Sequence, residues 1–172
     1  MCPGIGLAGS LSVLAIESKR GYAFGMPFQI RPVLPSDRTQ WEALWNGYQT
    51  FYKTKIPAQT TDITWARFFD RNEPIYALVA EEDGLLIGLV HYLFHRSTWT
   101  AGPYCYLQDL FTLEIARGKG VGRALIEAVY AAAGREGAPR VYWLTHETNV
   151  EAKKLYDKVA QNLGFVQYRK DL

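Results

Sequence analysis

Seven consecutive residues, Arg117-Gly118-Lys119-Gly120-Val121-Gly122-Arg123, carry the densest chemical information in the chain. Three glycines in five positions let the backbone come close to a ligand and turn several N–H groups toward one point. An apolar stretch with helical spacing follows, and a helix there adds unpaired N-terminal amides and the positive end of its dipole. This combination suits a pyrophosphate, and Arg117, Lys119 and Arg123 suit a polyanion. The competing reading is a tight strand-to-helix turn with no ligand. Spacing narrows the ligand. A Walker loop requires Gly-x-x-x-x-Gly-Lys and then Ser or Thr, a test that Arg123-Ala124 fails. The dinucleotide fingerprint Gly-x-Gly-x-x-Gly breaks because position 123 is Arg.

A second constellation lies downstream. A strand-like run over 140–145 leads into His146-Glu147-Thr148-Asn149, then a helical segment carrying Leu155-Tyr156, then Leu163-Gly164-Phe165. Asn149 reads as an N-cap with Glu151 in the first turn. Tyr156 follows Asn149 by two helical turns, on the same face.

Arg-x-x-Gly-x-Gly between a strand and a helix resembles motif A of the Gcn5-related N-acetyltransferases (GNAT). The later order of strand, Asn, helix with Leu-Tyr, and Gly-Phe resembles motif B. The resemblance runs over about residues 28 to 172. Tyr106-Leu107-Gln108-Asp109-Leu110-Phe111 and Val141-Tyr142-Trp143 are most similar to the branch that acetylates polyamines, histone-type lysines and small amines. It implies an α/β (α+β) fold: a mixed, mostly antiparallel sheet of six to seven strands flanked by about four helices. It also implies acetyl-CoA as co-substrate and direct acetyl transfer to a primary amine, with no metal. On the same basis Leu110, Phe111 and Thr112 offer backbone groups to the pantetheine. The amides of Gly118, Lys119, Gly120, Val121, Gly122 and Arg123, with Arg117, take the pyrophosphate, and Asn149 joins the cofactor side. A backbone N–H near Leu110 faces the developing oxyanion, and Tyr156 is the acid for the departing thiolate.

The base is less determined. An alkylamine of pKa about 10.4 is only roughly 0.1% neutral near pH 7, a cost of about 4 kcal/mol unless a group removes the proton. Polyamine enzymes of this branch carry Glu-Asp where this chain has Gln108-Asp109, and glutamine accepts no proton. Asp109, Glu147 and His146 remain, with Asp109 favoured. Strict strand alternation puts Gln108 and Asp109 on opposite faces. Trp45, Tyr48, Phe51, Tyr52, Trp65 and Phe69 are candidates for an acceptor cleft through cation–π contacts, with helical core packing as the alternative. His91 and His95 stand four residues apart on a strand, too far for easy joint ligation of a metal.

The elements that must hold these residues alternate along the chain. The reading is a strand over 28–32, a helix over 36–52 opened by Ser36 or Asp37, and a second helix capped by Thr61 or Asp62. A hairpin follows about Asp83-Gly84, then a strand over 104–113, a helix over 120–136 ended by Gly137, a strand over 140–145, a helix over 149–161 and a strand over 165–169. One domain over 26–172 accounts for this order. Residues 1–25 form an extension whose apolar run from Leu7 to Ile16 is too short to cross a bilayer.

With 172 residues and a formal net charge of +2, the chain can bury its own core and has no general affinity for nucleic acid. Two cysteines, Cys2 and Cys105, build no disulfide framework and point to the cytoplasm. The expected partner is a small-molecule amine, with no nucleic acid and no membrane, and a homodimer by analogy with the family. Two other readings stay open: a protein-lysine or N-terminal acetyltransferase, and, because of Gln108, a non-catalytic acyl-CoA sensor.

Overall fold

The run of alternating and β-branched residues from Ile75 to His95 folds as the hairpin the Asp83-Gly84 turn announces. Its arms pair antiparallel and form the middle of the sheet. The structure is a computed structural model that describes residues 27–172. In chain order the elements are β1 (Gln29–Pro32), α1 (Arg38–Phe51), α2 (Ala58–Arg67), β2 (Ile75–Glu82) and β3 (Leu85–His95), then β4 (Tyr104–Thr112), α3 (Val121–Arg135), β5 (Val141–Tyr142) and α4 (Val150–Val159). The sheet runs β1-β2-β3-β4-β5. All neighbours are antiparallel except β4 and β5, which are parallel.

Each face of this sheet buries its own core. Val90, Tyr92, Cys105 and Leu107 pack with Leu125, Ile126 and Val129 of α3. On the opposite face Val79 and Leu89 pack with Trp41, Leu44 and Trp45 of α1. Burying each of these side chains contributes about 1.5–3 kcal/mol, so both helices are pinned by their apolar stripes. Gly47 lets α1 sink onto β4: a Cβ there would stand 2.7 Å from the Phe111 ring. Cys105 is a free, fully buried thiol whose burial pushes its pKa up to about 12.

Several boundaries differ from the sequence reading. Asp37 stands at the N-cap of α1, but its side chain makes no capping bond. Its carboxylate instead accepts the Leu34 N–H at 2.8 Å and binds the Arg31 guanidinium at 2.6 Å, which holds its pKa below the usual range. α2 opens at Ala58, directly after Pro57, because that proline already supplies a fixed φ and an acceptor carbonyl for the Thr61 N–H. The sheet has five strands, not six to seven. The run over 140–145 yields only Val141–Tyr142, because its backbone leaves β4 after two pairs. Residues 165–169 form no strand: Phe165, Val166 and Tyr168 are exposed and find no partner edge among the described residues. The extension over 1–25 lies outside the described residues. No helix among the described residues is long and apolar enough to cross a membrane.

Candidate active site

The site is organised by an irregularity in β4. Leu107 pairs with Tyr92 and Asp109 with His91, so two residues step along β4 for one along β3 and Gln108 is left over as a bulge. The parity of the strand reverses there. Cys105 and Leu107 face α3, whereas Asp109 and Phe111 face α1. Gln108 and Asp109 therefore do not lie on opposite sides, as strict alternation predicts; both line one cleft. The bulge buries Asp109 and leaves Gln108 exposed.

Immediately beyond, β4 and β5 diverge. They pair only at Cys105 with Val141 and Tyr106 with Tyr142. From Leu107 to Thr112, β4 bonds β3 on one side, while no strand among the described residues pairs its other edge. Strand alternation turns the main-chain groups of Leu110 and Thr112 toward the splay, where a ligand can meet them, while those of Phe111, which shares the parity of Leu113 and its N–H bond to the Ile87 carbonyl, face β3. Their side chains are committed to packing: Leu110 against the α3 core and Phe111 against the α1 core.

That strand leads through a short turn into the glycine loop. Gly118 and Gly120 adopt φ of +76° and +86°, the left-handed region, and a Cβ on either would point into open space. The N–H groups of Gly118, Gly120, Val121, Gly122 and Arg123 donate to no main-chain acceptor among the described residues; Ala124 is the first to close a turn, onto Gly120. Unpaired donors around two left-handed glycines at a helix N-terminus fit the twin phosphates of coenzyme A. Val121 itself is buried, so only its amide can serve. The cations behave unequally. Lys119 pairs with Glu82 at 3.0 Å and Arg123 with Glu127 at 3.5 Å, whereas Arg117 is exposed and forms no ion pair among the described residues.

α4 brings Tyr156 to the same place. The Cβ position of Gly122 lies 3.4 Å from Leu155, and the Tyr130 hydroxyl donates to the Val159 carbonyl at 2.9 Å. These two contacts, at Gly122 and at Tyr130, hold α3 and α4 together. Tyr156 packs edge-on against Trp143, its ring 5.3 Å away, and its hydroxyl makes no hydrogen bond among the described residues. Burial, with a smaller contribution from Tyr52, pushes its pKa up to about 12. Asn149 occupies the N-cap of α4, but its amide donates to Thr145 instead of capping.

On the α1 face the cleft holds about 190 Å³ and is lined by Trp45, Thr64, Phe68, Ile75, His91, Tyr92, Leu93, Gln108 and Asp109. Asp109 is its one carboxylate. His91 Nδ1 lies 3.0 Å from Asp109 Oδ2, and Trp41 Nε1–H donates to His91 Nε2 at 2.9 Å. Burial, and after it the charge of Asp109, raises the phenol pKa values of Tyr48 and Tyr52. Of the aromatic residues singled out from sequence, Trp45 lines the cleft and Trp65 packs on Trp41, while Phe51 and Phe69 are largely exposed. Phe68 belongs to the cleft and was not singled out. Glu147 and His146 stand exposed ahead of α4 and do not line the cleft. No group of three or more His, Cys, Asp or Glu among the described residues could hold a metal ion. Sequence spacing does not point to His91 and Trp41 as partners of Asp109, because the three residues lie on different elements 18 and 50 positions apart.

The same fold recurs in solved acetyltransferase structures. The structure of AAC(6')-Iy in complex with the bisubstrate analog CoA-S-monomethyl-acetylneamine has a TM-score of 0.74, with 17% identity over 84% of this chain and 98% of that one. Residues 41–160 match the model of the Acetyltransferase (GNAT) family, and the chain belongs to that family. It is an N-acetyltransferase, and the family's acetyl donor is acetyl-CoA. It is 40% identical, over 83% of its length and 89% of the relative's, to the D-amino-acid N-acetyltransferase HPA3 of Saccharomyces cerevisiae. It is 31% identical to the thialysine N-epsilon-acetyltransferase of Mus musculus, over 59% of this chain and 66% of that one.

Proposed function

We propose that this acetyltransferase acts on small primary amines bearing an apolar group, with Asp109 as proton acceptor and Tyr156 as proton donor. The observation that carries the reading is the bulge at Gln108, which turns a buried carboxylate into an apolar cleft beside the open edge of β4. Bound in that splay, acetyl-CoA supplies the activated acyl group. Asp109 takes a proton from the acceptor ammonium, lifting the penalty of working below the amine's pKa. A main-chain N–H on the open edge of β4 near Leu110 meets the negative charge that develops on the carbonyl oxygen. Tyr156 gives its proton to the departing sulfur; its raised pKa keeps that proton in place throughout the neutral range. Arg117 and the amides from Gly118 to Arg123 hold the phosphates, and Asn149 supports the start of α4 beside them.

Trp45, Phe68, Ile75 and Leu93 shape the acceptor preference. A polyamine would bring a second ammonium into walls that offer no second carboxylate. An amino compound with an aromatic or branched side chain fills them instead, and the yeast relative's name gives an amino acid as its acceptor. Thiol release should be measured over a panel of D- and L-phenylalanine, D-leucine, 2-phenylethylamine and spermidine. The apolar amines should turn over with the lowest KM, and a clear preference for spermidine would refute this acceptor class. Binding of acetyl-CoA with no turnover on any amine would favour a sensor.

The homodimer expected by family analogy has support in the exposed apolar residues of the last segment, Leu163, Phe165, Val166 and Tyr168. Light scattering on the full chain should give twice the monomer mass, and less after truncation at residue 161.

A further inference from the structure

Three buried polar side chains run in a line under the acceptor cleft. Trp41 is fully buried, and His91 and Asp109 are 3% and 7% exposed. They come from α1, β3 and β4, so only the folded chain joins them. The indole N–H is donor-only, so the His91 Nε2 that faces it presents a lone pair. A neutral imidazole with that arrangement carries its proton on Nδ1, and the 3.0 Å contact to Asp109 is an N–H donated to Oδ2. Protonating Nε2 would set two donors against each other in a dry site, where an unmet polar group costs about 1–3 kcal/mol. The ring cannot easily turn away, because Trp45 and Phe68 lie 5.1 and 4.9 Å from it.

We infer that His91, its tautomer fixed by Trp41, is a positioning residue that holds the Asp109 carboxylate in the orientation needed to accept the amine proton. It does not shuttle that proton: Nδ1 is already occupied and Nε2 faces away from Asp109. The inference rests on the reading of Asp109 as the base. The other titratable groups that face Asp109 are Tyr48 of α1, Tyr52 at its C-cap and Tyr106 of β4, all phenols with raised pKa. Among the cleft-lining residues α2 contributes Thr64 and its C-cap position Phe68, neither of which titrates. Arg38 stands over the Trp41 ring, 5.2 Å from its centroid.

The test compares His91→Leu, His91→Asn and Trp41→Phe, alone and combined with Asp109→Asn, using acetyl-CoA and a phenylalanine-type amine at pH 7 to 10. His91→Leu removes the donor and should lower kcat about 10- to 100-fold at pH 7, the scale of a misaligned catalytic group. KM for acetyl-CoA should not move. The deficit should shrink toward pH 10, where the amine is already substantially neutral. His91→Asn, whose amide can stand where Nδ1 stood, should recover most of the loss, and Trp41→Phe should lose less than His91→Leu. In the Asp109→Asn background the His91 substitutions should cost almost nothing further. A loss of equal size at every pH, repeated in full in the Asp109→Asn background, overturns the positioning role. Parent-like turnover by Asp109→Asn overturns the base assignment instead, so the two failures are distinct. Should His91→Leu not fold, judged by circular dichroism, the same outcomes are read from His91→Asn and Trp41→Phe.

Discussion

The two ends of the proposed transfer site are built in opposite ways. The cofactor end is made of main chain: two left-handed glycines, the free amides at the start of α3, and one open edge of β4. Its parts lie within about a dozen residues of one another. The acceptor end is made of side chains from five elements, α1, α2, β2, β3 and β4, spanning Trp41 to Asp109, and a single bulge turns its carboxylate inward. Backbone recognition tolerates almost any side chain except at the glycines, so it suits a constant cofactor. Side-chain recognition changes with every substitution, which suits an acceptor that differs between relatives. The contrast also separates the kinds of damage each end should show.

The largest effect should fall on the acceptor end. Asp109→Asn keeps the shape of the side chain and removes its basicity, so kcat/KM for the amine at pH 7 should drop about 10²- to 10⁴-fold. KM for acetyl-CoA should stay within error. Tyr156→Phe comes next, with kcat down about 10²-fold and the same ratio at pH 7 and pH 10. The sign follows from burial, which favours the neutral phenol: with a pKa near 12 the proton is retained across that whole range. An alkaline limb near pH 9 that vanishes in Tyr156→Phe would show a phenol that ionises too early to fit this site.

Gly120→Val should act on the other end alone. A β-branched residue at φ +86° pays about 1–2 kcal/mol for the left-handed conformation, so KM for acetyl-CoA should rise roughly 5- to 30-fold with amine KM unchanged. If amine KM moves just as much, the two ends are coupled and the division above fails. The smallest effect is expected from Arg117→Ala: a few-fold rise in KM for acetyl-CoA that disappears in high salt, as for any exposed charge contact. Lys119→Ala should do less still, because its ammonium is already engaged by Glu82.

Legibility in the sequence followed the same division. The glycine spacing at 118, 120 and 122, the N-cap position of Asn149 and the placement of Tyr156 on α4 all rest on local geometry, and each sits where spacing predicted. The strand count did not survive, because whether 165–169 forms a strand depends on finding an edge to pair with. Gln108 and Asp109 were assigned to opposite faces by strict alternation, and nothing in the local sequence announces the bulge that cancels it. His91 carried a signal of a different kind: a histidine inside an apolar strand needs a buried partner, and β3 offered none nearby in sequence.

What the amino-acid order determined alone was everything set within a turn or two of chain. That includes the left-handed loop, the helix that begins behind it, the hairpin at Asp83-Gly84 and the apolar stripes that press α1 and α3 onto the sheet. Only the folded sheet decided which carboxylate faces the cleft, and that a tryptophan and a histidine stand behind it. Those contacts join residues 18 and 50 positions apart. Their register depends on one unpaired residue in β4, a property of two strands together that neither strand encodes by itself.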